Sequence, residues 1–387
     1  MKFTVSSADL LKALTTVAGA VPAKSTLPIL ESILFEREPA DDGGGDALRL
    51  AATDLEVSIV QRLPVSFETN GAEGRDRIAV PARRLLDTLR ALPDLPVTFA
   101  SDGEFNVELT TDQGRYKMVG HDGGDYPALP SLEEAQAVEA GAAAVRRAIE
   151  KTGFAVSKDA HRPAMMGVFF QVHPEHTRVV ATDGHRLVKL TLHGITADPA
   201  LDFVAPEKAL ALAARAAQAV GSDDAGCTIR VGSGFVEFDF GATRVIGRMI
   251  DEQYPNYEAV IPVENERRLT VSRDAMLAAV RRVALYSSSM THQIRLALKP
   301  DELSVSAEDI ERASEAKERV LCEYDAEPME IGFNSDYLAQ VLQNVDADDV
   351  VFEFSSPNRA GVVTPAAQAD GEEVLMLIMP VMLNTYA

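Results

Sequence analysis

Apolar and polar positions along this chain fall into one block order that occurs three times. Each block opens with an extended stretch that runs into an amphipathic helix, at Phe3 to Val21, Ala137 to Val156 and Leu269 to Ser287. A short strand with an acidic end follows: Ala51-Ala52-Thr53-Asp54, then Ala181-Thr182-Asp183, then a looser Ser306-Ala307-Glu308-Asp309. Next, a strand feeds a second helix at Val80-Pro81-Ala82-Arg83, Val204-Ala205-Pro206-Glu207 and Gly332-Phe333-Asn334-Ser335. Pro near the first turn, or Asn and Ser as cap, suits a helix start. Two blocks close on related phrases, Asp125-Tyr126-Pro127 with Leu129-Pro130 and Gln253-Tyr254-Pro255 with Ile261-Pro262, which mark two junctions.

Between the helices lie alternating strands such as Val97-Thr98-Phe99-Ala100, Phe235-Val236-Glu237-Phe238 and Val350-Val351-Phe352-Glu353. Two helices packed on antiparallel sheets make each block an α+β unit. The spacing of roughly 125 to 130 residues is too long for a solenoid. The expected fold class is therefore α+β with three similar domains, over residues 1–132, 133–263 and 264–387. The expected helices are 7–20, 81–91, 141–152, 206–219, 272–284 and 334–344.

Length agrees with several domains, since 387 residues exceed one ordinary core. With 46% hydrophobic and 25% charged residues the composition is globular. No apolar run nears the roughly 18 residues that cross a bilayer. Met1-Lys2-Phe3-Thr4-Val5 enters the amphipathic pattern with no apolar signal core, so a cytoplasmic location is expected. Cys227 and Cys322 lie far apart among strand-like residues and read as inert thiols.

A formal charge of −22 argues against a nucleic-acid partner until its distribution is considered. The six helical windows together carry +6, which leaves −28 to the rest of the chain. Basic residues gather on Ala-rich helices: Arg146, Arg147 and Lys151, then Lys208 and Arg215, then Arg281 and Arg282. The candidate contacts to a DNA backbone are Lys24, Arg83, Arg84, Arg146, Arg147, Arg215, Arg281 and Arg282. Nothing resembles a base-reading element, so sequence-independent contact is the expectation.

Catalytic motifs are scarce. No Gly-x-x-x-x-Gly-Lys-Ser/Thr loop and no Gly-x-Ser-x-Gly elbow occurs. Gly232-Ser233-Gly234 reads as a hairpin turn, and His173 with His176 as a surface loop. Asp41-Asp42-Gly43-Gly44-Gly45-Asp46 lacks the ligand spacing and distal Glu of a calcium loop and reads as a turn. No metal or cofactor is expected. Thr182-Asp183-Gly184-His185-Arg186-Leu187 is the densest polar constellation. Asp183 with His185 could form an acid-base pair, with Arg186 for a phosphate. Its counterpart Thr53-Asp54-Leu55-Glu56 keeps only Thr-Asp, which favours an architectural turn. An enzyme acting on nucleic acid or phosphates, a protein-binding scaffold and a protein that contacts the DNA backbone without reading bases are the three readings to separate.

Several phrases occur together and in order: Met1-Lys2-Phe3-Thr4-Val5, Thr26-Leu27-Pro28-Ile29-Leu30, Thr53-Asp54-Leu55-Glu56, Ala181 to Leu187, Tyr254-Pro255-Asn256-Tyr257 and Met379-Pro380. The chain resembles the bacterial DNA polymerase III beta subunit family over residues 1 to about 383. The resemblance implies the DNA clamp fold in a head-to-tail homodimer ring, with helices lining a hole around duplex DNA and no enzymatic activity. It also implies partners: the polymerase III alpha subunit, the clamp loader, and other polymerases and repair proteins that carry clamp-binding motifs. Their peptides would enter a pocket made by Met165, Thr182, Gly184, His185, Arg186, Leu187, Pro255, Val260, Leu377, Met379 and Pro380. The thioether-rich run Met376 to Met382 suits a surface that accepts several partners. By the same resemblance the dimer joins an edge strand around Tyr116 and Met118 to the third domain near Leu285. The chain departs from the family at Pro163-Ala164 and Ala259, where relatives carry aromatic or basic residues, and in its extension Asn384 to Ala387.

Overall fold

The computed structural model describes residues 1–38, 46–68, 76–132, 134–222 and 225–383. The expected turn at Asp41 to Gly45 and the extension Asn384 to Ala387 lie outside the described residues. Six α-helices are present among them: α1 Ser7–Val17, α2 Ala82–Ala91, α3 Ala142–Thr152, α4 Glu207–Val220, α5 Arg273–Ala284 and α6 Ser335–Gln343. Each falls inside or within a residue of its expected window, because the amphipathic spacing marks every one, and side-chain caps reinforce the first and the last. Ser6 Oγ caps α1 by accepting from the amides of Ala8 and Asp9, and Asn334 caps α6 by accepting from Asp336 and Tyr337.

The chain divides into two compact units, Met1–Arg146 with Lys208–Met249, and Arg147–Glu207 with Ile250–Ala387. The first unit holds a five-stranded sheet and a nine-stranded sheet. In the five-stranded sheet Arg115–Val119 is the last strand, paired only with Asn106–Thr110. In the nine-stranded sheet Val57–Pro64 of the first repeat pairs antiparallel with Thr243–Arg248 of the middle one, Ser58 opposite Ile246. The second unit is built on twelve strands in one ladder, in which Arg186–Leu192 of the middle repeat pairs with Glu372–Ile378 of the last, Leu187 opposite Leu377. The middle repeat is thus shared between the units, each half completing a sheet that another repeat begins.

Burial follows the alternation. Phe3 stacks on Phe99 at 4.9 Å and Phe99 on Phe35 at 5.1 Å, beneath the buried Leu10, Leu14 and Val17 of α1. In the second unit, α5 buries Met276, Val280 and Val283, and α6 buries Leu338, Val341 and Leu342. At roughly 1.5 to 3 kcal/mol per fully buried side chain, these faces rather than helix propensity hold the helices. No helix of the described residues is long and apolar enough to cross a membrane. Cys227 is buried and its thiol is pushed up to about 12 by burial, as suits an inert position.

Both junction phrases insert a tyrosine beneath the Thr-Asp strand end. Tyr126 Oη accepts from the Thr53 amide at 3.2 Å and donates to the Ser32 carbonyl at 3.4 Å. Tyr254 Oη donates to the Val180 carbonyl at 3.5 Å, its ring stacked on Phe169 at 4.9 Å. Burial pushes the Tyr126 phenol up to about 12. A phenol held above its unfolded value of about 10 adds stability that is fully present below pH 10 and is lost as pH rises toward 12. We expect urea unfolding of the wild type to lose roughly 2 to 3 kcal/mol more than Tyr126→Phe between pH 10 and 12. Parallel losses in the two proteins would show that Tyr126 ionises freely.

Candidate peptide-binding pocket and nucleic-acid face

The constellation singled out in the sequence is a tight turn between Thr177–Thr182 and Arg186–Leu192. Thr182 Oγ1 donates to the Arg186 carbonyl at 2.7 Å and accepts from the Gly184 amide at 3.1 Å. Asp183 Oδ1 accepts from the amides of His185 and Arg186, both at 2.9 Å. Gly184 has φ +86°, a left-handed conformation that favours glycine, and a Cβ there would stand 2.6 Å from Arg162 Nη1, the movable end of a long side chain. The first repeat builds the same turn: Thr53 Oγ1 donates to the Val57 carbonyl at 3.1 Å, and Asp54 Oδ1 accepts from the amides of Glu56 and Val57. There Leu55 takes the left-handed position at φ 78°. The Thr-Asp pair is architecture, with its carboxylate oxygen occupied by backbone.

Arg186 is 8% exposed despite its charge. Its guanidinium lies between the rings of Phe154, 5.3 Å away, and Tyr337, 4.9 Å away. Nη2 donates to the Phe154 carbonyl at 2.7 Å, Nη1 donates to Gln340 Oε1, and Nε stands 3.3 Å from Asp183 Oδ2. His185 stacks on the same Tyr337 ring at 5.5 Å. Such a cation, desolvated between two rings and bonded through both terminal nitrogens while Nε makes an ion pair but no hydrogen bond, fixes the turn against α6.

Beside this turn the Met379 amide donates to the His185 carbonyl at 2.7 Å, extending the ladder by one step. Leu187 and Leu377 form a buried floor with Val180, Val204, Tyr254, Tyr257 and Val362. Next to it along the backbone, Met379 follows the strand end and Val260 donates its amide to the Tyr257 carbonyl at 3.3 Å, and both are left to solvent, at 42% and 54% exposed. Pro255 is half-buried between the two tyrosines, and Pro380 is half-buried where the Val381 amide bonds the Gly332 carbonyl at 2.9 Å. Met165 sits in the turn Pro163–Met166, its carbonyl accepting from the Ser157 amide at 2.9 Å. All eleven residues expected at the pocket lie in the second unit. Phe154, Arg162, Tyr337 and Gln340 also touch the turn residues and were not singled out. Their signal was weak, an aromatic or amide among ordinary helix and loop positions.

The expected basic contacts are less uniform. Lys24, Arg83, Arg84, Arg215, Arg281 and Arg282 are exposed, and Arg146 is half-buried. Arg147 bonds Glu372, Nε to Oε2 at 3.0 Å, and also Asp346, and these bonds push its pKa further up. Arg282 is held in a two-pronged bond to Glu318 at 2.7 and 2.6 Å. Arg83 and Arg84 border a cleft with Met118 and Val119, next to the edge strand. On that strand Tyr116 is half-buried, Met118 buried and Val119 64% exposed. Leu285, which caps α5, is 80% exposed. Among the described residues no group of three or more His, Cys, Asp or Glu could hold a metal ion.

Comparison with known proteins agrees across the whole length. Three family models match in order: the DNA polymerase III beta subunit N-terminal domain over residues 1–130, its central domain over 140–256 and its C-terminal domain over 258–381. The beta sliding clamp of Synechococcus elongatus is 31% identical over 391 residues, covering 100% of both chains. That of Caulobacter vibrioides is 31% identical, covering 97% of this chain and 99% of its own. A crystal structure of the Pseudomonas aeruginosa DnaN sliding clamp bound to griselimycin has a TM-score of 0.89 at 28% identity, covering 99% of this chain and 100% of its own. The Bartonella birtlesii clamp bound to griselimycin has a TM-score of 0.89 at 27% identity, with the same coverage. The fold is the three-domain DNA clamp fold, and its family is non-catalytic. The chain belongs to the DNA polymerase III beta subunit family, the sliding clamps of bacterial replication.

Proposed function

We propose that the chain is the processivity clamp of a replicative polymerase, a cytoplasmic homodimer that closes as a ring around duplex DNA and binds the motif peptides of its partners. The observation that carries this reading is the buried apolar floor at Leu187 and Leu377 with exposed apolar residues, Met379 and Val260, on the segments that border it. Such a surface gains by covering its apolar atoms with a ligand's. The eleven pocket residues are assigned to motif peptides of the polymerase III alpha subunit, the clamp loader and repair proteins. Residues 1–132, 133–263 and 264–387 are the three clamp domains. For the dimer we assign Arg115–Val119, with Tyr116 and Met118, to one side. The other side is the stretch of Ser314–Tyr324 from Ser314 to Leu321, which has one paired neighbour among the described strands and lies beside Leu285 through the Arg282 to Glu318 bond. Two unpaired edges of this kind complete each other in a head-to-tail pair.

An enzyme built on Asp183, His185 and Arg186 finds little support, since the Asp183 oxygens and the Arg186 guanidinium are engaged in holding the turn. Retention on DNA tests the clamp. The protein loaded onto nicked circular duplex should co-elute with it and be released when the circle is linearised. Reversing Arg146, Arg215 and Arg281 together, which leaves the Arg147 and Arg282 ion pairs in place, should shorten retention on every sequence alike, more so at higher salt. Equal retention on linear and circular DNA, or a changed sequence preference, would reject the reading.

A further inference from the structure

The first repeat reproduces the backbone of the pocket with different side chains. The Arg248 amide donates to the Glu56 carbonyl at 2.8 Å, as the Met379 amide does to His185. This register sets Ser58 in the place of Leu187, Ile246 in the place of Leu377, and Glu237, opposite Ile246, in the place of Val362. Tyr126 lies below as Tyr254 does, in a cluster with Leu34, Ala51 and Val60. A cleft of about 580 Å³ opens here, floored by Val60, Leu129 and Ile246 and bordered by Arg49, Arg77, Arg230 and Arg244.

The charges of this cleft do not balance. Glu36 pairs with Arg49 and, at 3.5 Å, with Arg77, while Glu237 pairs with Arg230 and, at 3.8 Å, with Arg244. Asp239 adds a third carboxylate, 3.0 Å from Arg230. Among the described residues four guanidinium groups therefore share three carboxylates, and Arg77 and Arg244 are the loosely held ones. Arg77 Nε is, in addition, a buried donor with no hydrogen-bond acceptor. In a chain of net charge −22 this is a local cationic excess above an apolar floor.

We propose that this cleft is a second peptide site, which takes a short acidic segment of a partner protein carrying one aliphatic anchor. The anchor covers Val60, Leu129 and Ile246, and carboxylates bridge Arg77 and Arg244. An apolar motif peptide is excluded, because Glu237 and Ser58 replace the buried Val362 and Leu187 of the other pocket. The comparison leans on the proposed reading of that pocket, so the test keeps the two apart.

The probes are the capped peptides Glu-Asp-Leu-Asp-Glu and Gln-Asn-Leu-Asn-Gln, titrated into the full chain while the methyl resonances of Leu129, Ile246, Leu187 and Leu377 are followed. The acidic peptide should shift Leu129 and Ile246, and the amide version should bind at least tenfold more weakly. Arg77→Gln with Arg244→Gln should weaken the acidic peptide at least tenfold, and each alone at least threefold, which guards against a double variant that misfolds. Met379→Asp should leave this binding unchanged. Shifts confined to Leu187 and Leu377, loss of binding in Met379→Asp, equal affinity for the two peptides, or no shift at all would overturn the proposal. None of those results would touch DNA retention, on which the clamp reading stands.

Discussion

Met379→Asp is expected to weaken a Gln-Leu-x-Leu-Phe-like clamp-binding peptide by at least about 2 kcal/mol, roughly 30-fold, in a calorimetric titration. The backbone at this residue is fixed by its bond to the His185 carbonyl, so the substitution changes the side chain and leaves the ladder in place. The wild-type thioether stands 42% exposed beside the buried Leu187 and Leu377, where a peptide side chain would cover it. Replacing it removes apolar contact and forces a carboxylate to shed water when the peptide docks. The native chain keeps its stability, because the new charge remains solvated in the free protein. Dimer mass and DNA retention should therefore be unchanged. Equal affinity in the two proteins would place peptide binding elsewhere.

Leu285→Asp is expected to convert the dimer into monomers of 41.7 kDa, read as a halved mass by light scattering. Leu285 is 80% exposed in the single chain, so the substitution costs the monomer about 0.5 kcal/mol or less. In a closed interface the same carboxylate would be buried without a partner, at a cost of several kcal/mol, and a symmetric ring contains it twice. Thermal melting of the isolated chain separates dissociation from misfolding. An unchanged dimer mass would reject the assignment.

Helices were the most legible part of this chain. At α1 and α6 the cap, the apolar stripe and the strand before them agree within a few residues, so local sequence decides them. The Thr-Asp turns were legible for the same reason, since the hydrogen bonds by which Thr182 and Asp183 close the turn stay within four positions. Arg186 was visible as a residue but not as a strut, because Phe154 and Tyr337 reach it from distant segments. Arg147 shows the reverse difficulty. Counted by charge it is one of several helix cations, whereas Glu372 and Asp346, more than 190 positions away, hold it in the fold. Charge sums cannot distinguish a cation offered to a ligand from one already engaged, and that distinction is made by tertiary contact alone.

The sheets that run through the repeat junctions have a consequence for how such a chain could have arisen. Val57–Pro64 and Arg186–Leu192 each find one of their two neighbours in the following repeat. A single ancestral copy would have presented that strand bare, as an adhesive edge prone to stick to its own kind. Set in tandem, the first two of these edges find a neighbour on the same polypeptide, and among the described strands only that of the last repeat is left open. The repeats are therefore sheet neighbours, and one of them expressed alone is expected to expose that strand.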